Sequence, residues 1–384
     1  MKKKYSWVLL ALSCINQIAC QNTIFVDEYA DIRHDGQKNI KITEVDLDTV
    51  LIDASSTSLE GEWHLKDNKL YFVDKALVGV KVFDPDGQYI TRHIEKGRGP
   101  NEMLQPMFAG SFSDRGYFIT IDQGWTISLF NKEFKKEKMY ILLGDIDGDQ
   151  KVWDNLRRNP DPEKFRMYEF FISAPGIRFL NDQVIIPVIT EHMDYNGFFK
   201  NANVQDFWLR SYNFLTIDIQ NCKTGKLFGH YPPIFRKRNI PTFSVLSFDT
   251  GNDYMYCSYG ADSLIYVRDN HGKLIKSIGY ATSSIKGNYP ETETFEDYSL
   301  NFRKHQKTYG YYKQIKLAND HLFRSYKKDG DTGYGLQIYK DNDLIGDVSF
   351  SEDMYIIGYS NEYYYGVLPT DTDLEQFRIV KFKL

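Results

Sequence analysis

A unit of about forty to fifty residues recurs along this chain, and that spacing constrains the fold more than any other feature. Its clearest copy runs Lys69–Asp74, Val80–Phe83, a turn Asp84-Pro85-Asp86-Gly87, then Tyr89–Ile94. Further copies are Tyr117–Asp122 with Thr126–Asn131 and Glu137–Leu142, and Asp253–Tyr259 with Ser263–Asp269 and Leu274–Ile278. Another is His321–Lys327 with Gly335–Lys340 and Leu344–Phe350. Each run is rich in Tyr, Phe, Val and Ile and is bounded by Asp, Asn or Gly, which reads as strand, loop, strand, tight turn, strand. Long segments of helical period with caps are scarce.

With one preceding strand added, each unit has four strands. Equivalent third-strand positions are Phe83, Phe130, Asp218, Arg268, Tyr339 and Val380, spaced by 47, 88, 50, 71 and 41 residues. The short spacings match a propeller blade, and the long ones a blade plus an insertion. The sequence therefore predicts an all-β fold, a six-bladed β-propeller of four-stranded antiparallel blades. Its last unit, Met354–Ser360, Glu362–Leu368 and Phe377–Leu384, lacks a strand, which Ile40–Leu47 near the N-terminus can supply. Such pairing closes the ring and removes exposed sheet edges. An irregular β-sandwich, or two β domains, is the competing arrangement. The 28 Tyr, 26 Phe and 5 Trp among 384 residues suit half-buried pleated surfaces. The expected organisation is a signal peptide at 1–19, a lead or tether at 20–39, and one propeller over 40–384 with insertions near 144–170, 191–211 and 280–308.

The start of the chain carries an address. Lys2, Lys3 and Lys4 precede a nine-residue apolar run, Trp7–Ile15. That run is too short to cross a bilayer and reads as a secretory signal. Ala19-Cys20 follows, which resembles a bacterial lipobox, although Gln17 stands where an apolar residue is usual. Cys20 is thus the expected lipidation site, and an ordinary secretory signal cut nearby is the alternative. The acyl chains would hold the protein to a membrane. The residues after Cys20 (Gln21, Asn22, Thr23) lack an acidic cluster, which favours the periplasmic face. Cys222 and Cys257 remain in the body and are expected on different blades as free thiols.

A net charge of -5 leaves no basic stripe to displace phosphate counterions, so no nucleic-acid partner is expected. No cofactor motif and no Cys/His metal spacing appears. Asp145-Ile146-Asp147-Gly148-Asp149 alternates carboxylates but lacks the later bidentate Glu of a calcium loop, and reads as a solvated acidic turn.

The loop Glu95-Lys96-Gly97-Arg98-Gly99-Pro100-Asn101-Glu102, following a Phe-Asp-x-x-Gly turn and a strand, resembles the six-bladed β-propeller lipoproteins of Bacteroidetes. These are filed as domain-of-unknown-function families, with TolB-like and NHL-type architecture. Trp63-His64, Phe302-Arg303-Lys304-His305, Tyr311-Tyr312-Lys313 and Arg378–Lys383 are similar too, while Asn101 departs from the Gly common there. The resemblance implies a fold and an envelope address. It implies no activity, and no catalytic residue is carried over.

Candidate binding residues are few. The Gly-Arg-Gly-Pro loop is either an inter-blade turn or a presenter of Arg98 and Glu102 to a ligand at the channel mouth. Of the histidines, His64 and His305 are the candidates to meet a ligand, the alternative for each being a satisfied or exposed histidine. Trp153 and Trp208 fall in the insertions and are candidates for an exposed aromatic patch, or for packing of those loops on themselves. Glu62 and Asp249 are the acids expected on innermost strands. The leading expectation is a monomeric, non-catalytic binding or scaffold module at the cell envelope, with a glycan, peptide or envelope protein as partner. The alternative is a propeller hydrolase or lyase with an axial active site, which Glu62, Asp249 or Glu102 meeting a His would favour.

Overall fold

The computed structural model describes residues 27–141, 150–171, 176–181, 183–190 and 192–384. The signal peptide, Cys20 and the acidic Asp145–Asp149 turn lie outside them.

Six antiparallel sheets form the blades. Blade one is Gly61–Lys66, Lys69–Asp74, Gly79–Phe83 and Tyr89–His93, counted outward from the axis. Blade two is Met107–Phe112, Phe118–Asp122, Thr126–Phe130 and Lys136–Ile141. In blade three, Glu169–Phe170 and Arg178–Leu180 both pair with Gln183–Ile189, followed by Tyr212–Asp218 and Lys223–His230. Blade four is Leu246–Gly251, Tyr254–Tyr259, Ile265–Arg268 and Leu274–Ile278. Blade five is Tyr311–Ala318, His321–Lys327, Tyr334–Lys340 and Asp343–Phe350. Each innermost strand touches the next, and the sixth, Tyr355–Ser360, touches the first, so the ring is closed.

The hairpin joining the two outer strands of a blade is built locally. Asp84 Oδ1 accepts from the amides of Asp86 and Gln88, and Gly87 takes φ +86°. Asp269 does the same for His271 and Lys273, with Gly272 at φ +77°. Asn131 repeats it for Glu133 and Lys135. This Asx turn is why Asp/Asn-x-x-Gly punctuation is readable in the chain.

Ring closure differs from expectation in its segment. Asp48–Asp53, not Ile40–Leu47, pairs antiparallel with Gln376–Phe382 to complete blade six. Val50 and Ile52 point into the core there, while Thr49, Leu51 and Asp53 face out. Lys38–Ile42 instead runs parallel to Asp343–Phe350 as a fifth strand on blade five. The alternation in Ile40–Leu47 marks a strand correctly, but pattern alone does not select between two neighbouring sheet edges.

Residues 27–37, expected as part of a lead or tether, are packed against blades three to five. Tyr29 is buried, donates to the His230 carbonyl at 2.6 Å, and meets Tyr266 edge-on. Glu28 forms a two-pronged pair with Arg268, at 2.7 and 2.8 Å, and Asp27 pairs with Arg236 at 2.5 Å. Charged residues that look like solvated linker in sequence meet partners 209 and 240 positions away.

The insertions fold onto the ring. Residues 192–210 carry the helix Val204–Arg210, which packs on Pro233–Lys237. Phe295–Thr308 is a fourteen-residue helix capped by the Thr294 side chain, which accepts from Asp297 N–H. Lys200 binds Glu293 at 2.5 Å and so staples the two insertions together. Among the described residues no helix is long and apolar enough to cross a membrane. Cys222 sits in a turn of blade three and Cys257 on a strand of blade four, unbridged; burial pushes the Cys257 thiol up to about 12.

Candidate functional site

The innermost strands are where the channel is made, and their alternation decides what lines it. A strand sends successive side chains to opposite faces, so residues not spent on inter-blade packing face the axis. Two of the cavities among the described residues lie along the axis. The first, about 620 Å³, lies where the innermost strands end, with Lys66, Asp114, Arg115, Gln220 and Asp253 at its rim. The second, about 520 Å³, lies where Gly61, Tyr311 and Tyr355 begin their strands, and Phe302 and Gln306 of the Phe295–Thr308 helix form part of its wall. His64, Arg178, Lys316 and Ile357 belong to both walls, so they form the partition between the chambers.

That partition is a network of charge. Asp249, almost fully buried, accepts from Arg178 Nε at 2.7 Å, from Lys316 Nζ at 3.1 Å and from the Leu317 amide at 2.9 Å. Burial opposes ionisation of Asp249, but Lys316 and Arg178 outweigh it and hold its carboxyl below the usual range. One carboxylate thereby ties the innermost strands of blades three, four and five. Glu62 pairs with Lys75 at 2.6 Å and stands 3.9 Å from His64 Nε2.

His64 is driven down to about 3, first by desolvation and then by Arg178 and Lys316, against a hydrogen bond to Gly110 that pulls the other way. It is a neutral imidazole at physiological pH, and its Nε2 is buried without a hydrogen-bond partner. An unpaired buried polar atom of this kind costs roughly 1–3 kcal/mol unless something fills it. Histidine and carboxylates thus do converge at the axis. Asp249 holds no proton to give, and a histidine near 3 is a feeble base.

The other expected binding residues lie elsewhere. Arg98 is exposed in the loop between blades one and two, and Glu102 turns back to accept from the Gly99 amide at 2.6 Å; neither lines a chamber. A Cβ on Gly97 would run into that same carboxylate, so the glycines of this loop admit an internal staple. Trp208 does not contribute to an exposed patch. It is 1% exposed, stacks on Phe235 at 5.1 Å and donates from Nε1 to Asn239 at 2.9 Å. Gly197 is required there, since a Cβ would come within 2.2 Å of the indole. A bulky amphipathic ring gains more from burial with its N–H satisfied than from solvent exposure. Trp153 belongs to the helix Gln150–Arg158, and its side chain lies outside the described ones.

Arg178 and Lys316 were missed by sequence reasoning. The available signal was polar residues alternating with apolar ones in Ile177-Arg178-Phe179 and Ile315-Lys316-Leu317, each on an innermost strand. Among the described residues no cluster of three or more His, Cys, Asp or Glu could hold a metal.

No protein-family model matches the chain, and no curated protein matches it. Solved structures do. A DUF4221 family member from Bacteroides vulgatus superposes with a TM-score of 0.67 at 15% identity, over 89% of this chain and 99% of that one. A Bacteroides fragilis protein assigned as exported gives 0.55 at 12% identity, over 92% and 99%. At these identities the likeness shows a shared fold, a six-bladed β-propeller, and nothing about a ligand.

Proposed function

We propose that this protein is a non-catalytic binding module of the cell envelope, and that its ligand enters the axial channel. One observation carries the reading: a 520 Å³ chamber on the axis, in whose wall Arg178 and Lys316 share the single buried carboxylate of Asp249. Concave sites of this size with a few convergent polar groups are what small ligands occupy. Glycans and peptides are the partner classes to be screened.

Gln314 lines the same chamber, and Gln314→Trp should fill it without touching the ion pairs. In a glycan and peptide binding screen, hits on the wild type should vanish in Gln314→Trp while its melting temperature stays within a few degrees. Hits that survive the filled chamber would move binding off the axis and sink the proposal.

An envelope address through a lipid on Cys20 is the second half of the reading. The lipobox-like Ala19-Cys20 supports it, as does the assignment of the Bacteroides fragilis neighbour as exported. Cys20→Ala is expected to shift the protein from the membrane fraction to the soluble fraction of the cell. Retention of the variant in membranes would contradict lipidation.

A further inference from the structure

The chamber beneath the Phe295–Thr308 helix has a charge balance that narrows the ligand class. Around the partition stand three cations, Lys75, Arg178 and Lys316, against two carboxylates, Glu62 and Asp249. Lys313, at the rim, is matched by its own partner Asp353. His64 adds no charge, because it is neutral. Among the described residues one positive charge is therefore uncompensated at the floor of the chamber. Arg178 uses Nε on Asp249 and Nη1 on the Ile177 carbonyl, and Nη2 bonds to no other group among the described residues. A buried surplus charge favours one anionic group, and a guanidinium edge favours a carboxylate.

The walls add a second requirement. Gln306, Gln314, Tyr311 and Tyr355 line the chamber with residues that carry amide and hydroxyl groups. The tyrosine rings and Phe302 offer flat apolar faces between those polar atoms. A ligand that satisfies such a wall carries several hydroxyls on a ring with an apolar face.

Resting on the channel reading above, we infer that this chamber takes a uronic acid unit of an acidic glycan, its carboxylate held by Arg178 and Lys316 and its ring hydroxyls met by Gln306 and Gln314. The carboxylate completes the floor's charge.

Calorimetric titration of the full chain tests this with digalacturonate, its methyl ester and a neutral disaccharide. The acid should bind, and the ester should bind about tenfold more weakly, the loss expected of one charge-assisted hydrogen bond. Binding of the acid should weaken in 0.5 M salt, and Lys316→Met should bring acid and ester to equal affinity. The ester comparison needs no variant, so it stands if Lys316→Met fails to fold. Equal binding of acid and ester overturns the carboxylate assignment; if Gln314→Trp abolishes both, the channel reading survives that result. No binding of the acid at millimolar concentration, or preference for a glutamate-containing peptide, overturns the inference. Acid binding that persists in Gln314→Trp overturns the channel reading as well.

Discussion

Removal of residues 376–384 should leave a chain that does not fold. The deleted strand Gln376–Phe382 is the third of blade six, hydrogen-bonded to Tyr363–Asp371 on one side and to Asp48–Asp53 on the other. Phe377, Ile379, Val380 and Phe382 are each at most 1% exposed. Burying one such side chain contributes about 1.5–3 kcal/mol, so four of them amount to roughly 6–12 kcal/mol. A whole domain is typically stable by about 5–15 kcal/mol. The N-terminal strand would lose its ladder too, and the ring would open at the seam between its ends. Circular dichroism should show no cooperative melt. A deletion variant that melts like the wild type would refute closure by paired termini. A gentler version, Ile379→Ala, should cost about 2–5 kcal/mol and still fold.

Glu28→Ala should destabilise the protein by about 3–5 kcal/mol, because it leaves a buried guanidinium unpaired. Arg268 is 1% exposed, its Nε already lacks a partner, and Glu28 supplies its carboxylate. Burial pushes the Glu28 carboxyl up, but Arg268 overrides that and holds it below its ordinary value. A depressed carboxylate contributes stability above its unfolded pKa, near 4.3, and loses it as pH falls through the lower folded value. Urea melts of the wild type should therefore weaken below about pH 4, and Glu28→Ala should show a flatter dependence there. A loss under about 1 kcal/mol would mean the strap of residues 27–37 is a surface ornament. Tyr29, buried beside the pair, suggests otherwise.

How much of this was legible in the chain depends on how far each signal reaches. The Asp84–Gly87 and Asp269–Gly272 turns are closed by hydrogen bonds within four residues, so their spacing announces them. Trp63 is packed between Phe72 and Phe377 at 5.1 Å each. Trp208 reads equally well as an exposed platform or an interior ring, and its partner Asn239 stands 31 residues away. Glu62, His64 and Asp249 were identifiable as innermost-strand residues. Arg178 and Lys316, which set the electrostatics of His64 and Asp249, were not singled out, because a charged residue in a strand normally faces water.

By itself the sequence determined the strand content, the period and hence the six blades. Those follow from the two-residue alternation and from turns whose chemistry is local. Tertiary structure alone decided which terminal segment closes the ring, that residues 27–37 are bound rather than loose, and that five charges gather at the axis. Each of these joins residues on different blades, through contacts whose energies depend on burial and distance. A period reports how many strands there are; the axis is where their inward faces meet, and only the closed ring brings them there.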